Sequence, residues 1–273
     1  MIGIMQGRLV PPEGGRFQSF PRERWVDEFQ LAASVPLQYI EWVFDDYGFD
    51  INPISNDDGV ETLKRKSSAS GVLVRSVCAD YFMDSPLLRC SESDLSKRLQ
   101  ILRKLIRNAH SVGANRIVLP FVDASRIETV DDTDRVVAAL KLVLSDAEQH
   151  GLELHLETSL PPDAFAVLLE RLPHPLVKVN YDSGNSSSLG FRVPEEFNAY
   201  GPRIGSVHIK DRLLGGGTVP LGTGDTDFAA VFSGLRELAY RGDFTLQVAR
   251  GEPGNEVDLA RRSLDFISRQ WSM

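Results

Sequence analysis

The chain has 273 residues, 42% hydrophobic and 25% charged, with 30 basic against 38 acidic side chains. That length can bury one large α/β core or two ordinary ones, and the ordinary composition excludes global disorder. A formal charge of -8 argues against nucleic acid as the main partner, and no apolar run approaches the roughly 18 residues of a membrane span. The opening MIGIMQGRLV lacks the basic and long apolar regions of a secretory signal. Cys78 and Cys90 are too few for a disulfide framework and read as reduced thiols of a cytoplasmic protein.

Along the chain a short apolar run, a polar loop and an amphipathic helix recur. Strands are expected at 2–7, 39–44, 72–80, 116–122, 152–158, 177–184, 204–211 and 243–250. The clearest helix follows the third strand. Leu95, Leu99, Leu102, Leu105, Ile106, Ala109 and Val112 share one face, Ser91 with Asp94 suggests a capping box, and Gly113 suggests a C-cap. The next helix carries Val136, Val137, Leu140, Leu144 and Ala147 and closes at Gly151. Eight such units of roughly 34 residues have the rhythm of a single (β/α)8 barrel over residues 1–273, with a doubly wound open sheet as the competing architecture.

Alternation within the later strands decides which side chains turn inward. In LELHLET the leucines oppose Glu153, His155 and Glu157. In VKVNYDSGN, Val177, Val179 and Tyr181 oppose Lys178, Asn180 and Asp182. In IGSVHIKDR, Val207 and Ile209 oppose Ser206, His208 and Lys210, and in FTLQVAR, Leu246 and Val248 oppose Thr245 and Gln247. The apolar faces must meet the outer helices, so the polar faces line the lumen. Such a lumen is costly unless its groups are paired or bind something.

Glu157, Asp182, His208 and Gln247 lie near the C-terminal ends of their strands, the end where barrels of this kind build active sites. Two carboxylates, an imidazole and an amide oxygen suit one divalent ion and discriminate little among Mn²⁺, Co²⁺, Mg²⁺ and Zn²⁺. A salt-bridged, hydrogen-bonded core without metal accounts for the same spacing.

The segments MQGRLVPP, YIEWVF, SVCADYF, LELHLET, VNYDSGN, VHIKDR and VPLGTGDTDF fall in order over nearly the whole chain. Together they resemble the xylose-isomerase-like TIM-barrel family. That family holds sugar and sugar-phosphate isomerases and epimerases as well as the endonuclease IV type of apurinic endonuclease. The resemblance implies that Glu157, Asp182 and His208 are metal ligands on strands five, six and seven, with Gln247 as the fourth on strand eight. It implies a small sugar or sugar phosphate as substrate. The endonuclease branch fits poorly. Its cluster needs further histidines, yet Asn185 stands where one would follow the strand-six aspartate, and the loop after HIKD contains none.

Gln247 departs from the family's epimerases, which place a glutamate there and use the strand-five and strand-eight glutamates on opposite faces of one carbon. An amide can still donate its oxygen to a metal but cannot act as a base. Glu157 is then the only ligand carboxylate placed for proton abstraction. One base suits aldose–ketose isomerisation through an enediol on a single face. Two-base epimerisation needs a substitute, Glu41 or Asp80. Glu41 should face the lumen as that base or as a substrate contact, or else pair with Lys178 or Arg75.

The resemblance implies that Arg212 contacts substrate oxygens; a surface salt bridge is its other reading. Asn185 and Gln6 either donate to substrate or tie their loops down. The glycines between 215 and 224 either offer N–H groups to an anion or permit tight turns, the second being preferred. Cys78 reads as a packed thiol and His155 as a hydrogen-bonded core group, while His110, His150 and His174 carry no functional signal. Trp42, Phe44, Tyr47 and Phe49 either wall a sugar ring or pack a loop or subunit contact. The expected activity is a metal-dependent isomerase or epimerase. Its rivals are a metal-assisted lyase or dehydratase on a sugar-derived substrate and a non-catalytic carbohydrate-binding barrel. A homo-oligomer is compatible with all three; a membrane partner is not expected.

Overall fold

A computed structural model describes residues 1–272. Eight parallel strands close into a barrel in sequential order: β1 Ile2–Met5, β2 Tyr39–Val43, β3 Leu73–Cys78, β4 Arg116–Phe121, β5 Glu153–Thr158, β6 Val177–Asp182, β7 Ile204–Ile209 and β8 Asp243–Leu246. β1 closes the ring by pairing with both β2 and β8. All eight expected strands are present, and the open-sheet alternative is excluded. The strands end before Gly7, Asp80, Gly184, Asp211 and Arg250, so the residues past their C-terminal ends form the loops above the barrel. A two-stranded ribbon, Asp211–Arg212 with Thr218–Val219, stands there beyond β7. Among the described residues no helix is long and apolar enough to cross a membrane.

The helices bury the faces their periodicity predicts. In Glu92–Val112, Leu99, Leu102, Leu105, Ile106, Ala109 and Val112 are buried, while Leu95 in the first turn is half-buried. Ser91 caps the N-terminus by accepting from Asp94 N, and Gly113 closes the helix at φ 95°. The Asp94 carboxylate accepts from the Ser91 hydroxyl at 2.7 Å, so only one half of the expected box forms. The next expected helix is two, Val130–Lys141 and Leu144–His150, broken at Leu142 and Val143.

The polar lumen is paired from the bottom upward. Asp243 accepts from Arg116 Nη1 at 2.7 Å and from Arg75 Nε at 2.6 Å. Arg116 also donates to the Tyr39 hydroxyl, which meets Thr245 Oγ1 at 2.8 Å. A second chain runs from Glu153 to His155 at 2.8 Å and from His155 Nδ1 to Ser206 Oγ at 2.7 Å. Ser206 then donates to Asn180 Oδ1, and Asn180 Nδ2 donates to Glu157 Oε2 at 2.8 Å. His155 is therefore a core histidine whose chain ends on a site carboxylate. β7 gains one residue against β6 at Gly205, where a Cβ would lie 2.5 Å from the His155 ring. Only glycine lets that imidazole lie across the strand.

Candidate active site

Register places the candidate ligand residues at one level. Asp182 on β6 pairs with His208 on β7, and His208 pairs in turn with Thr245 on β8. Gln247 lies just past β8, where its N–H continues the ladder to Ile209 O. One donor atom each from Glu157, Asp182 and His208 lies within 4.8 Å of the others, and all three side chains are buried. His208 Nδ1 is 3.3 Å from Glu157 Oε2 and 3.9 Å from Asp182 Oδ2. It is buried and makes no hydrogen bond.

The other ring nitrogen explains that orphan. His208 Nε2 lies 2.6 Å from Glu41 Oε1, both side chains being fully buried. A cation that displaced the second ring proton would leave the first on Nε2 against this carboxylate, and the Nδ1 lone pair would then face Glu157 and Asp182. This is the arrangement by which a carboxylate fixes the tautomer and basicity of a metal-ligating histidine. Burial opposes charge on His208, but the Glu41 and Glu157 carboxylates outweigh it and push its pKa up to about 10. Burial likewise opposes ionisation of Glu41, and the His208 ring overcomes this to hold its carboxyl below the ordinary value. The oxygen-rich donor set and its unpartnered nitrogen fit a divalent cation.

Glu41 is thus neither a cavity residue nor a partner of Lys178 or Arg75. Lys178 pairs with Glu153 at 2.6 Å, and Arg75 with Asp243. Glu41→Gln keeps an acceptor near Nε2 but removes the charge. It is expected to weaken divalent-ion affinity about 10- to 100-fold, read by competition with a chromophoric chelator. Unchanged affinity would show that Glu41 does not tune His208.

Above the triad opens a cavity of about 870 Å³ whose lining includes Glu157, Asn185, Lys210, Arg212 and Gln247. The Glu157 carboxylate is held by two amides, Asn180 Nδ2 on Oε2 at 2.8 Å and Asn185 Nδ2 on Oε1 at 2.7 Å. Lys210 Nζ reaches Gln247 Oε1 and Asn185 Oδ1 at 3.2 Å and Asp182 Oδ2 at 3.4 Å. The Gln247 oxygen therefore faces the same ammonium as Asp182. Arg212 Nη1 donates to Asn185 Oδ1 at 2.9 Å, while its Nε and Nη2 hold Gly216 O. It is anchored within the protein rather than forming a surface salt bridge.

Other expected contacts are spent elsewhere. Gln6 is fully buried outside the cavity lining; its Oε1 accepts from Val43 N at 3.0 Å and ties β1 to β2, while its Nε2 has no hydrogen-bond partner. The glycine loop does cradle an anion, but it is the chain's own. Gly222 N and Gly224 N donate to Asp211 Oδ2, and Thr226 N to Oδ1. A Cβ on Gly224 would lie 2.4 Å from that carboxylate. No room is left there for a substrate phosphate. Trp42 is buried on the outer face of β2 against Phe20, Trp25 and Phe29, and Phe44 and Phe49 pack with Tyr81. Phe17 and Met83 supply apolar wall instead.

Sequence reasoning gave no role to Lys210 or Gln18. Lys210 shares the inward face with His208, so its signal was present. Gln18 lies in the irregular segment after β1, where no periodicity marks it. Arg8 holds that segment by donating to Val248 O, Phe17 O and Gln18 Oε1.

Residues 29–270 match the family model described as Xylose isomerase-like TIM barrel. The chain belongs to this family. It is 26% identical over 250 residues to the L-ribulose-5-phosphate 3-epimerase UlaE of Escherichia coli K12, covering 88% of each chain. Among solved structures it resembles an L-ribulose 3-epimerase at TM-score 0.79 and 17% identity, covering 99% of this chain and 94% of that one. It also resembles a zinc-bound IolI protein at TM-score 0.77 and 17% identity, covering 100% and 99%. At such identities the two structures speak for the fold.

Proposed function

We propose that this member of the family is a metal-dependent sugar epimerase that inverts a carbon next to the carbonyl of a ketose or ketose phosphate. The observation that carries the reading is the buried, unpartnered His208 Nδ1 facing Glu157 and Asp182 at the floor of the cavity. The activities named for UlaE and the L-ribulose 3-epimerase support epimerisation over aldose–ketose isomerisation. The zinc in IolI supports a metal in this fold.

Glu157, Asp182, His208 and the Gln247 oxygen would hold the ion. When bound, it supplies Lewis-acid polarisation of the substrate carbonyl and offsets charge developing on its oxygen. The remaining work belongs to the chain. Asn180 and Asn185 fix the Glu157 carboxylate, and Glu157 takes the proton from the carbon beside the carbonyl. Lys210, one of three cations lining the cavity with Arg126 and Arg212, donates toward the oxygen that becomes an enediolate. Arg126 and Arg212 bring the positive charge that a phosphate would meet, since the N–H groups of Gly222 and Gly224 are taken by Asp211.

Incubation with L-ribulose 5-phosphate, L-ribulose, D-allulose and D-fructose tests this, with C3 epimers followed by NMR. Interconversion of at least one pair is expected. Exhaustive chelation should abolish it, and one of Mn²⁺, Co²⁺, Mg²⁺ or Zn²⁺ should restore it. Undiminished turnover after chelation would overturn the metal assignment. A product lighter by one water would move the reaction to the dehydratase class.

A further inference from the structure

Inversion at one carbon requires a proton carrier on each face of the substrate, and at the end of β8 this chain has an amide. The acidic side chains named above as substitutes differ in what they touch. Glu41 is sealed in the wall: His208 holds one oxygen at 2.6 Å, and Thr245 Oγ1 donates to the other at 3.5 Å. Asp80 lies past the end of β3, at the start of the short helix Tyr81–Asp84, and lines the same cavity as Glu157.

Its contacts connect it to the position the family fills with glutamate. Gln247 Nε2 donates to Gln18 Oε1 at 3.0 Å, and Gln18 Nε2 donates to Asp80 Oδ2 at 2.6 Å. The Cys78 thiol donates to Oδ1 at 3.1 Å. Among the described residues no basic side chain forms an ion pair with Asp80. The remaining cavity carboxylate, Asp123, is exposed and has no such connection.

We propose that Asp80 is the second proton carrier of this site, acting on the face of the substrate carbon turned away from Glu157. The Gln247–Gln18 amide pair holds it there in place of a strand-eight glutamate. This rests on the epimerase reading above. Burial without a paired cation, with Asp45 and Glu157 adding like charge, pushes the Asp80 pKa up to about 6. Both protonation states are then accessible near neutrality, as a group that must take and return a proton requires.

The step balances without a further reactant. Glu157 removes the proton at C3, the C–H electron pair forms the C2–C3 double bond, and the carbonyl pair moves onto oxygen. Protonated Asp80 then delivers its proton to C3 on the other face. The oxygen pair re-forms the carbonyl, and the double-bond pair forms the new C–H bond. Glu157 ends protonated and Asp80 ionised, and exchange with water resets both.

The test follows both C3 epimers of a ketose pair in D₂O by NMR. The wild type should invert and exchange label at C3 of both. Asp80→Asn should slow inversion about 100-fold or more while Glu157 still washes deuterium into C3 of one epimer. Asp80→Ala leaves space for a small carboxylate, and added formate should raise its inversion rate at least about tenfold, a rescue that a structural role would not show. Asp80→Asn inverting at the wild-type rate would overturn the proposal. So would equal loss of exchange from both epimers with no formate rescue. A wild type that neither inverts nor exchanges any of the sugars named above would instead overturn the epimerase reading and this proposal with it.

Discussion

Replacing Asp243 by alanine is expected to destabilise the fold by about 3–5 kcal/mol, the range for removing one partner of a buried ion pair. Arg116 is the partner that makes this large. Its side chain is 2% exposed, and without Asp243 its charge stays in the barrel floor with a tyrosine hydroxyl and the Asn115 amide. Arg75 and the amino terminus also reach Asp243 but are 31% exposed, so water compensates them in part. Urea unfolding of the variant measures the loss, and a change under about 1 kcal/mol would mean that the floor repacks around Arg116.

The same carboxylate has a predictable pH signature. Burial raises its pKa, but Arg116, Arg75 and the amino terminus outweigh this and lower it to about 2. A carboxyl whose folded value lies below its unfolded value of about 3.9 binds more protons when unfolded. Its contribution is therefore complete above about pH 4 and is lost as the pH falls toward 2. Wild type and Asp243→Ala should differ most in stability above that window and converge below it.

The floor also shows how far alternation carries a reading of this chain. The eight strands follow from the recurring strand, loop and helix units, and the inward polar face follows from period-two patterns at β5, β6, β7 and β8, because a one-residue slip would put charge against the outer helices. Glu157, Asp182, His208 and Gln247 were legible for that reason. Their partners were not, because alternation says which way a side chain points and not what stands across a barrel. Glu41 and His208 are 167 residues apart in sequence and meet only through closure. Asp80 was legible as a candidate base but not its link to Gln247, because Gln18 comes from an irregular segment where no period applies. The glycine loop shows a further limit. Its composition permits an anion cradle, and Asp211, an ordinary residue in the HIKDR run, fills it.

Glu157→Gln is the substitution with the largest expected effect on turnover, a fall in kcat of about 10²- to 10⁴-fold or to undetectable levels. Three losses coincide. The amide cannot accept the substrate proton, and it offers one metal donor where the carboxylate offers two. It also disturbs its supports, because Asn180 Nδ2 and Asn185 Nδ2 each donate to a Glu157 oxygen. One of these donors would face the new NH₂. Neither asparagine is free to turn over. Asn180 Oδ1 receives Ser206, and Asn185 Oδ1 receives both Lys210 and Arg212. Glu157→Asp separates the effects, since it keeps a base and a negative charge but withdraws them by one methylene. It should bind divalent ions more tightly than Glu157→Gln and still turn over far more slowly than wild type. The readouts are ion affinity by chelator competition and deuterium exchange at C3. Glu157→Gln retaining more than about a tenth of wild-type C3 inversion with the ion saturating would remove Glu157 from the reaction. The proton would then have to leave through Asp80.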